Sequence, residues 1–123
     1  MSKDLIHLMH ALFLPAAEGS PYVPWRPAAD VYRTREGFTV KFELAGVRVE
    51  DIDLEVLGSR ITLRGSRRDT CDYHDGCRCY LLEIRYEQFE RSLELPCNLE
   101  RAAITSTYRD GMLLVYIQTE ART

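Results

Sequence analysis

The stretch "FTVKFEL", residues 38–44, decides the fold. Phe38, Val40, Phe42 and Leu44 alternate with Thr39, Lys41 and Glu43. A β-strand turns successive side chains to opposite faces, so this period of two places one apolar face against a core and one polar face in water. The pattern recurs on both sides. "IDLEVL" (52–57) alternates Ile52, Leu54 and Val56 with Asp53 and Glu55. "RITLRG" (60–65) puts Ile61 and Leu63 on one face, and "FERSLEL" (89–95) aligns Phe89, Arg91, Leu93 and Leu95. "MLLVYIQ" (112–118) is apolar on both faces. Turn signals separate the runs: Glu36-Gly37, Ala45-Gly46, Gly58-Ser59, Pro96 and Asp110-Gly111. Many short strands, closely spaced and apolar on one face, predict an all-β, immunoglobulin-like β-sandwich.

Two features exceed what sandwich packing asks for. Arg91 shares a face with Phe89, Leu93 and Leu95, so its guanidinium must meet a carboxylate or reach an interface. In the last run, the surplus apolar face is either covered within the domain or lines a binding groove.

The chain has 123 residues, the size of one domain with a core of its own. Sixteen basic against nineteen acidic residues give a formal charge of −3. That balance disfavours a nucleic-acid surface, which needs a basic excess to neutralise phosphates. No apolar run approaches the ~20 residues that span a bilayer. At the N-terminus, "DLIHLMHALF" (4–13) spaces Leu5, Leu8, Met9 and Leu12 for one face of a short helix, which Ile6 and Phe13 widen. Asp4, His7 and His10 interrupt it as a signal peptide. Pro15, Pro21, Pro24 and Pro27 then mark a linker, so the folded domain is expected from about Trp25.

Three of the four cysteines crowd into "CDYHDGCRC" (71–79). Such crowding differs from the spread framework of a small secreted scaffold, and a cytoplasmic protein with reduced thiols is expected. Cys71, His74, Cys77 and Cys79 are all zinc-ligand types within nine residues, although their spacing is not a standard zinc signature. Cys71 also has the spacing to close a disulfide with Cys77 or Cys79 across Asp75-Gly76, whereas a Cys77–Cys79 bridge would be strained. Reduced thiols in a solvated loop are the third reading. Cys97, after Pro96, reads as a turn or core residue.

From Trp25 to Ile117 the chain resembles the α-crystallin domain of small heat-shock proteins. The resemblance rests on four segments in order: "WRPAADVYRTREGFTVKFELAGV", "EDIDLEVLGSRITLRGSR", "EIRYEQFERSLELP" and "STYRDGMLLV". Three positions depart from the family pattern: Ala45 replaces a usual proline, Glu87 a usual glycine, and Ser106 a usual alanine. The ending "IQTEART" lacks the I-x-I/V motif with which shell-forming members dock onto neighbours, and the region before Trp25 is short. Both features argue against a large oligomer.

The resemblance implies an ATP-independent chaperone, a holdase that binds partly unfolded proteins and prevents their aggregation, with no enzyme activity and no required cofactor. It divides the chain into an N-terminal segment and linker (1–24), a sandwich (25–119) and a short tail (120–123). Client contacts are then expected at Leu5, Leu8, Met9, Leu12, Phe13, Leu114 and Tyr116, because clients expose apolar surface. In the bacterial and plant branch, the long segment before "F-x-R" crosses to a second subunit. Here that segment is 67–88, too long for a simple turn. A homodimer by strand exchange is expected, with Tyr80, Leu82, Ile84, Tyr86, Arg91 and Val31 at the interface and the edge near 29–33 as receptor. Two other readings remain: a co-chaperone-type adaptor module, and a sensor that uses the Cys/His loop to alter dimerisation.

Overall fold

The computed structural model describes residues 23–69 and 76–119. Seven strands form within them: β1 (Ala29–Arg33), β2 (Gly37–Glu43), β3 (Ile52–Leu57), β4 (Arg60–Arg67), β5 (Glu87–Glu94), β6 (Ala103–Arg109) and β7 (Met112–Gln118). One 3-10 turn, Val49–Asp51, precedes β3. Two antiparallel sheets result, a four-stranded one in the order β1-β2-β7-β6 and a three-stranded one in the order β3-β4-β5. The sandwich expected from the alternating runs is the fold observed. The expected N-terminal helix falls on residues 4–13, outside the described residues.

The register shows why alternation becomes a core. Phe38, Val40 and Phe42 of β2 pair with Ile117, Val115 and Leu113 of β7, and all six are buried. The three-stranded sheet supplies Ile61, Leu63 and Phe89 against them, while Leu44, Val47, Leu95 and Leu99 close the ends. Each fully buried Leu, Ile or Phe contributes roughly 1.5–3 kcal/mol, so this one shared apolar layer is the main support of the fold.

Sequence periodicity missed two strands, β1 and β6. "AITSTYR" of β6 turns only Ile104 and Tyr108 inward, with Ser106 between them. It becomes a strand because the Asp110-Gly111 turn folds it back on β7. Asp110 at φ 54° and Gly111 at φ 76° both occupy the left-handed region that a two-residue hairpin demands. The Tyr108 hydroxyl then reaches the carbonyls of Leu44 and Val47 at 2.7 and 2.6 Å, tying this hairpin to the turn after β2. Burial pushes the Tyr108 phenol above its ordinary pKa.

The closest approach of an aromatic ring to a glycine in the sandwich is at Gly65 of β4. A Cβ there would lie 2.3 Å from the Asp51 carbonyl oxygen and 2.4 Å from Cζ of Phe89. The missing side chain is the space that the Phe89 ring fills. Gly65→Ala is therefore expected to lower unfolding free energy by about 2–3 kcal/mol through overpacking. Urea denaturation measures it, and a loss under about 0.5 kcal/mol would mean that the ring is not held against Gly65.

Candidate partner-binding surfaces

The two outer faces of the sandwich differ in chemistry. On the three-stranded sheet, Asp53, Arg64 and Glu90 stand in one row. Arg64 Nε lies 2.6 Å from Glu90 and its NH1 3.7 Å from Glu55, and Arg60 Nε lies 3.1 Å from Glu94. Ser59 donates to Glu94 as well, and these donors hold that carboxyl below its ordinary pKa. Such exposed pairs add little stability, roughly 0–1 kcal/mol each, but they make the face thoroughly hydrophilic.

The four-stranded sheet is different. Its outer rows read Tyr32, Thr39, Tyr116, Thr105 and Asp30, Lys41, Leu114, Thr107. Leu114 is half-buried, and Tyr116 is 42% exposed. Among the described residues the surplus face of the last run is not covered within the domain. Leu113, Val115 and Ile117 enter the core, while Met112, Leu114 and Tyr116 form an open outer stripe with no further layer over it among the described residues. The expected client residues Leu114 and Tyr116 thus share one face. Leu5, Leu8, Met9, Leu12 and Phe13 lie outside the described residues.

The segments expected to exchange between subunits are also open. β1 is an edge strand, and its Val31 side chain is 44% exposed. On the arm between β4 and β5, Tyr80 is 98%, Leu81 68% and Ile84 58% exposed, while Leu82 and Tyr86 are half-buried. "CYLLEIRY" has strand composition, yet residues 77–86 form no strand in the single chain, because a lone extended segment has no ladder to join. Arg91 does face inward beside Leu63. Its NH1 donates to the carbonyl of Pro27 at 3.1 Å rather than to a carboxylate, and its buried Nε has no hydrogen-bond partner.

Sequence reading missed the groups that hold the base of this arm. Trp25 bridges to β5: its N–H donates to the Gln88 carbonyl at 3.2 Å, its carbonyl accepts from Glu90 at 3.0 Å, and its indole N–H donates to the Glu87 carbonyl at 3.3 Å. The indole packs on Phe89 with ring centroids 5.3 Å apart. Arg67 also lies over this indole, its guanidinium carbon 4.3 Å from the Trp25 ring centroid and 5.7 Å from that of Tyr86. An arginine closing a strand, with Trp and Tyr elsewhere in the chain, was the available signal, but alternation says nothing about stacking across elements. Where the arm rejoins the sheet, Glu87 has φ 69°, a left-handed backbone that glycine adopts without strain.

The Cys/His cluster is only partly within view. Cys77 and Cys79 are half-buried free thiols, as is Cys97, whereas Cys71 and His74 lie outside the described residues. Among the described residues, no three His, Cys, Asp or Glu side chains gather into a metal-binding group, and no helix is long and apolar enough to cross a membrane.

Comparison with known proteins adds the family. The profile of the Hsp20/alpha crystallin family matches residues 30–123. Small heat shock protein C2 of Rickettsia felis is 28% identical over 91 residues, covering 74% of this chain and 58% of its own. The 18 kDa antigen 2 of Mycobacterium avium is 33% identical over 95 residues, covering 75% of this chain and 67% of its own. Among solved structures, the hspA protein of Xanthomonas axonopodis, 25% identical, superposes with a TM-score of 0.65 over 78% of this chain and 95% of that one. The chain spans a little over half the length of two Rickettsia felis relatives, 58% and 55%.

Glu87 yields a stability prediction. A non-glycine residue in the left-handed region costs about 1–2 kcal/mol, and glycine's extra freedom in the unfolded chain offsets about 0.5–1 of that. Glu87→Gly is expected to raise stability by about 0.5–1 kcal/mol, read as a higher urea midpoint at unchanged slope. A lower midpoint would show that the Glu87 side chain contributes more than its backbone strain removes.

Proposed function

Because this chain belongs to the Hsp20/alpha crystallin family, we propose that it acts as an ATP-independent chaperone, holding partly unfolded proteins against aggregation. The observation that carries this reading is the contrast between the outer faces. One is laced with ion pairs, and the other presents Met112, Leu114 and Tyr116 in a row on β7. A client that has exposed its own core gains about 25 cal/mol for each Å² of apolar surface it covers there, and no nucleotide chemistry is needed. The N-terminal side chains Leu5, Leu8, Met9, Leu12 and Phe13 extend the apolar offer.

The working unit in this proposal is a homodimer made by strand exchange. The arm of one subunit, with Tyr80, Leu82 and Ile84, pairs with β1 of the other and covers an edge that would otherwise recruit strands at random. Three features support it: the exposure of Tyr80 and Ile84, the open Val31 on the receiving edge, and the unpartnered buried Nε of Arg91 on β5. The cytoplasm is the matching compartment, where Cys77, Cys79 and Cys97 stay reduced.

Light scattering of a heat-denatured client tests the activity. Suppression without ATP at a several-fold excess is expected, and none would reject the proposal. Leu114→Asp is expected to weaken suppression while leaving the fold intact, since that side chain lies on the outer face. Sedimentation tests the dimer: Ile84→Asp is expected to weaken association at least about a hundredfold, roughly 2.7 kcal/mol, by placing a carboxylate in an apolar interface. Unchanged mass would remove Ile84 from the interface.

A further inference from the structure

Arg67 is the last residue of β4 and stands opposite Glu87, the first residue of β5. The whole arm leaves and returns at this pair. The Arg67 side chain gathers three segments that are remote in sequence. Its Nε donates to the Arg85 carbonyl at 2.9 Å, a bond that NH2 reinforces. Its NH1 donates to the Ala45 carbonyl at 3.3 Å, in the turn after β2. Its flat face covers Trp25, which approaches from the N-terminal side, and it faces Tyr86 on the returning leg. Only arginine combines a planar face for stacking with several donors fixed in one plane.

The other side chain at this junction reinforces the same geometry. The Trp25 indole N–H holds the Glu87 carbonyl while Arg67 holds the Arg85 carbonyl. Two carbonyls on the returning leg are therefore fixed by two side chains that are themselves stacked. The backbone turns at Glu87, φ 69°, between them. Beyond that fixed point the chain runs out through Ile84, Leu81 and Tyr80, all exposed. Partial burial lowers the Arg67 pKa from its ordinary value, and the Glu43 carboxylate opposes that; an arginine stays charged regardless.

We infer that Arg67 is the positioning residue of the exchange arm, setting the direction in which residues 80–84 leave the sandwich toward the β1 edge of a second copy of this chain. The inference rests on the dimer reading above and adds to it the group that aims the arm. Freed of the guanidinium, the returning leg loses its carbonyl anchor and its stack, and the arm samples directions that miss the partner. The entropy of ordering it is then met at each association, and affinity falls.

Four proteins test it: the full chain, Arg67→Met, Arg67→Lys and Arg64→Met, the last removing ion pairs on the hydrophilic outer face. Sedimentation reads the dissociation constant. Trp25 is the single tryptophan, so its emission and the exchange rate of its indole N–H report on the stack. Arg67→Met is expected to weaken association at least about tenfold, shift Trp25 emission and speed indole exchange, with Arg64→Met unchanged in all three. Association as tight as in the full chain, once Arg67→Met has folded, overturns the inference. If Arg67→Met fails to fold, Arg67→Lys decides: its point charge lacks the fork and the plane, so weaker association is expected and equal association overturns the inference. If the full chain proves monomeric, the dimer reading fails on its own. The pin is then read from Trp25 alone, where faster indole exchange in Arg67→Met sustains it and an unchanged rate overturns it.

Discussion

The contact between Phe89 and Gly65 is the constraint on which the rest of the molecule depends. A hydrogen in place of a side chain lets the Phe89 ring come down on β4 and fill the layer between the sheets. The ring then offers its other surface to Trp25, and Trp25 is thereby held where its backbone ladders onto β5 and its indole reaches the Glu87 carbonyl. Two residues beyond Gly65 on the same face of β4, Arg67 finds Trp25 already in place to stack upon. One short sequence, "LRGSR", thus sets the core packing through its glycine and the base of the arm through its final arginine. A larger residue at 65 would displace the ring, and the displacement would travel through the indole to the arm.

Chemistry is distributed over the rest of the surface with the same economy. Both sheets bury one face against the shared core, so the outer faces are free to differ. Cross-strand ion pairs occupy the three-stranded sheet, where they discourage association. The four-stranded sheet has Asp30 and Lys41 3.9 Å apart on β1 and β2 and Arg109 at the end of β6, and leaves β7 between them apolar outside as well as inside from Met112 to Ile117. Edges are treated unequally too. Trp25 occupies part of the β5 edge, whereas β1 is left open with Val31 uncovered. Among the described residues one face and one edge stay open while the opposite face is charged and part of another edge is occupied, an asymmetry that agrees with the partner surfaces proposed above.

Much of this was legible in the residues. Strands β2, β3, β4 and β5 follow directly from alternation, because the core imposes a period of two wherever one face is buried, and β7 follows from a short apolar run bounded by a turn. β6 was not legible: only Ile104 and Tyr108 of its side chains turn inward, and a hairpin of Asp110 and Gly111 supplies the order that its own pattern lacks. The surplus apolar face of β7 was visible as composition, but whether it would be covered depended on how many layers the domain has. Arg91 was read as a charge in need of a partner, and it found the Pro27 carbonyl, a main-chain group that side-chain patterns cannot announce. Arg67 escaped notice for the same reason, since two of its acceptors are carbonyls in distant turns and its remaining partners are rings brought near by the fold.

The arm itself shows how a sequence can be right about composition and silent about state. "CYLLEIRY" carries the β-branched and aromatic content of a strand, yet a strand exists only where another backbone completes its hydrogen bonds. Among the described residues the segment joins no ladder, and Tyr80, Leu81 and Ile84 stand exposed, an energetic cost that the proposed association would relieve. Arg91 tells the same story: one nitrogen is satisfied by Pro27, and another is buried without a partner. A guanidinium nitrogen buried without a partner and an apolar arm fixed at its base are both unfavourable in the single chain. In the proposed dimer an exchanged strand over β1 would cover the exposed side chains of the arm and close that edge, so that two open features of one chain answer each other.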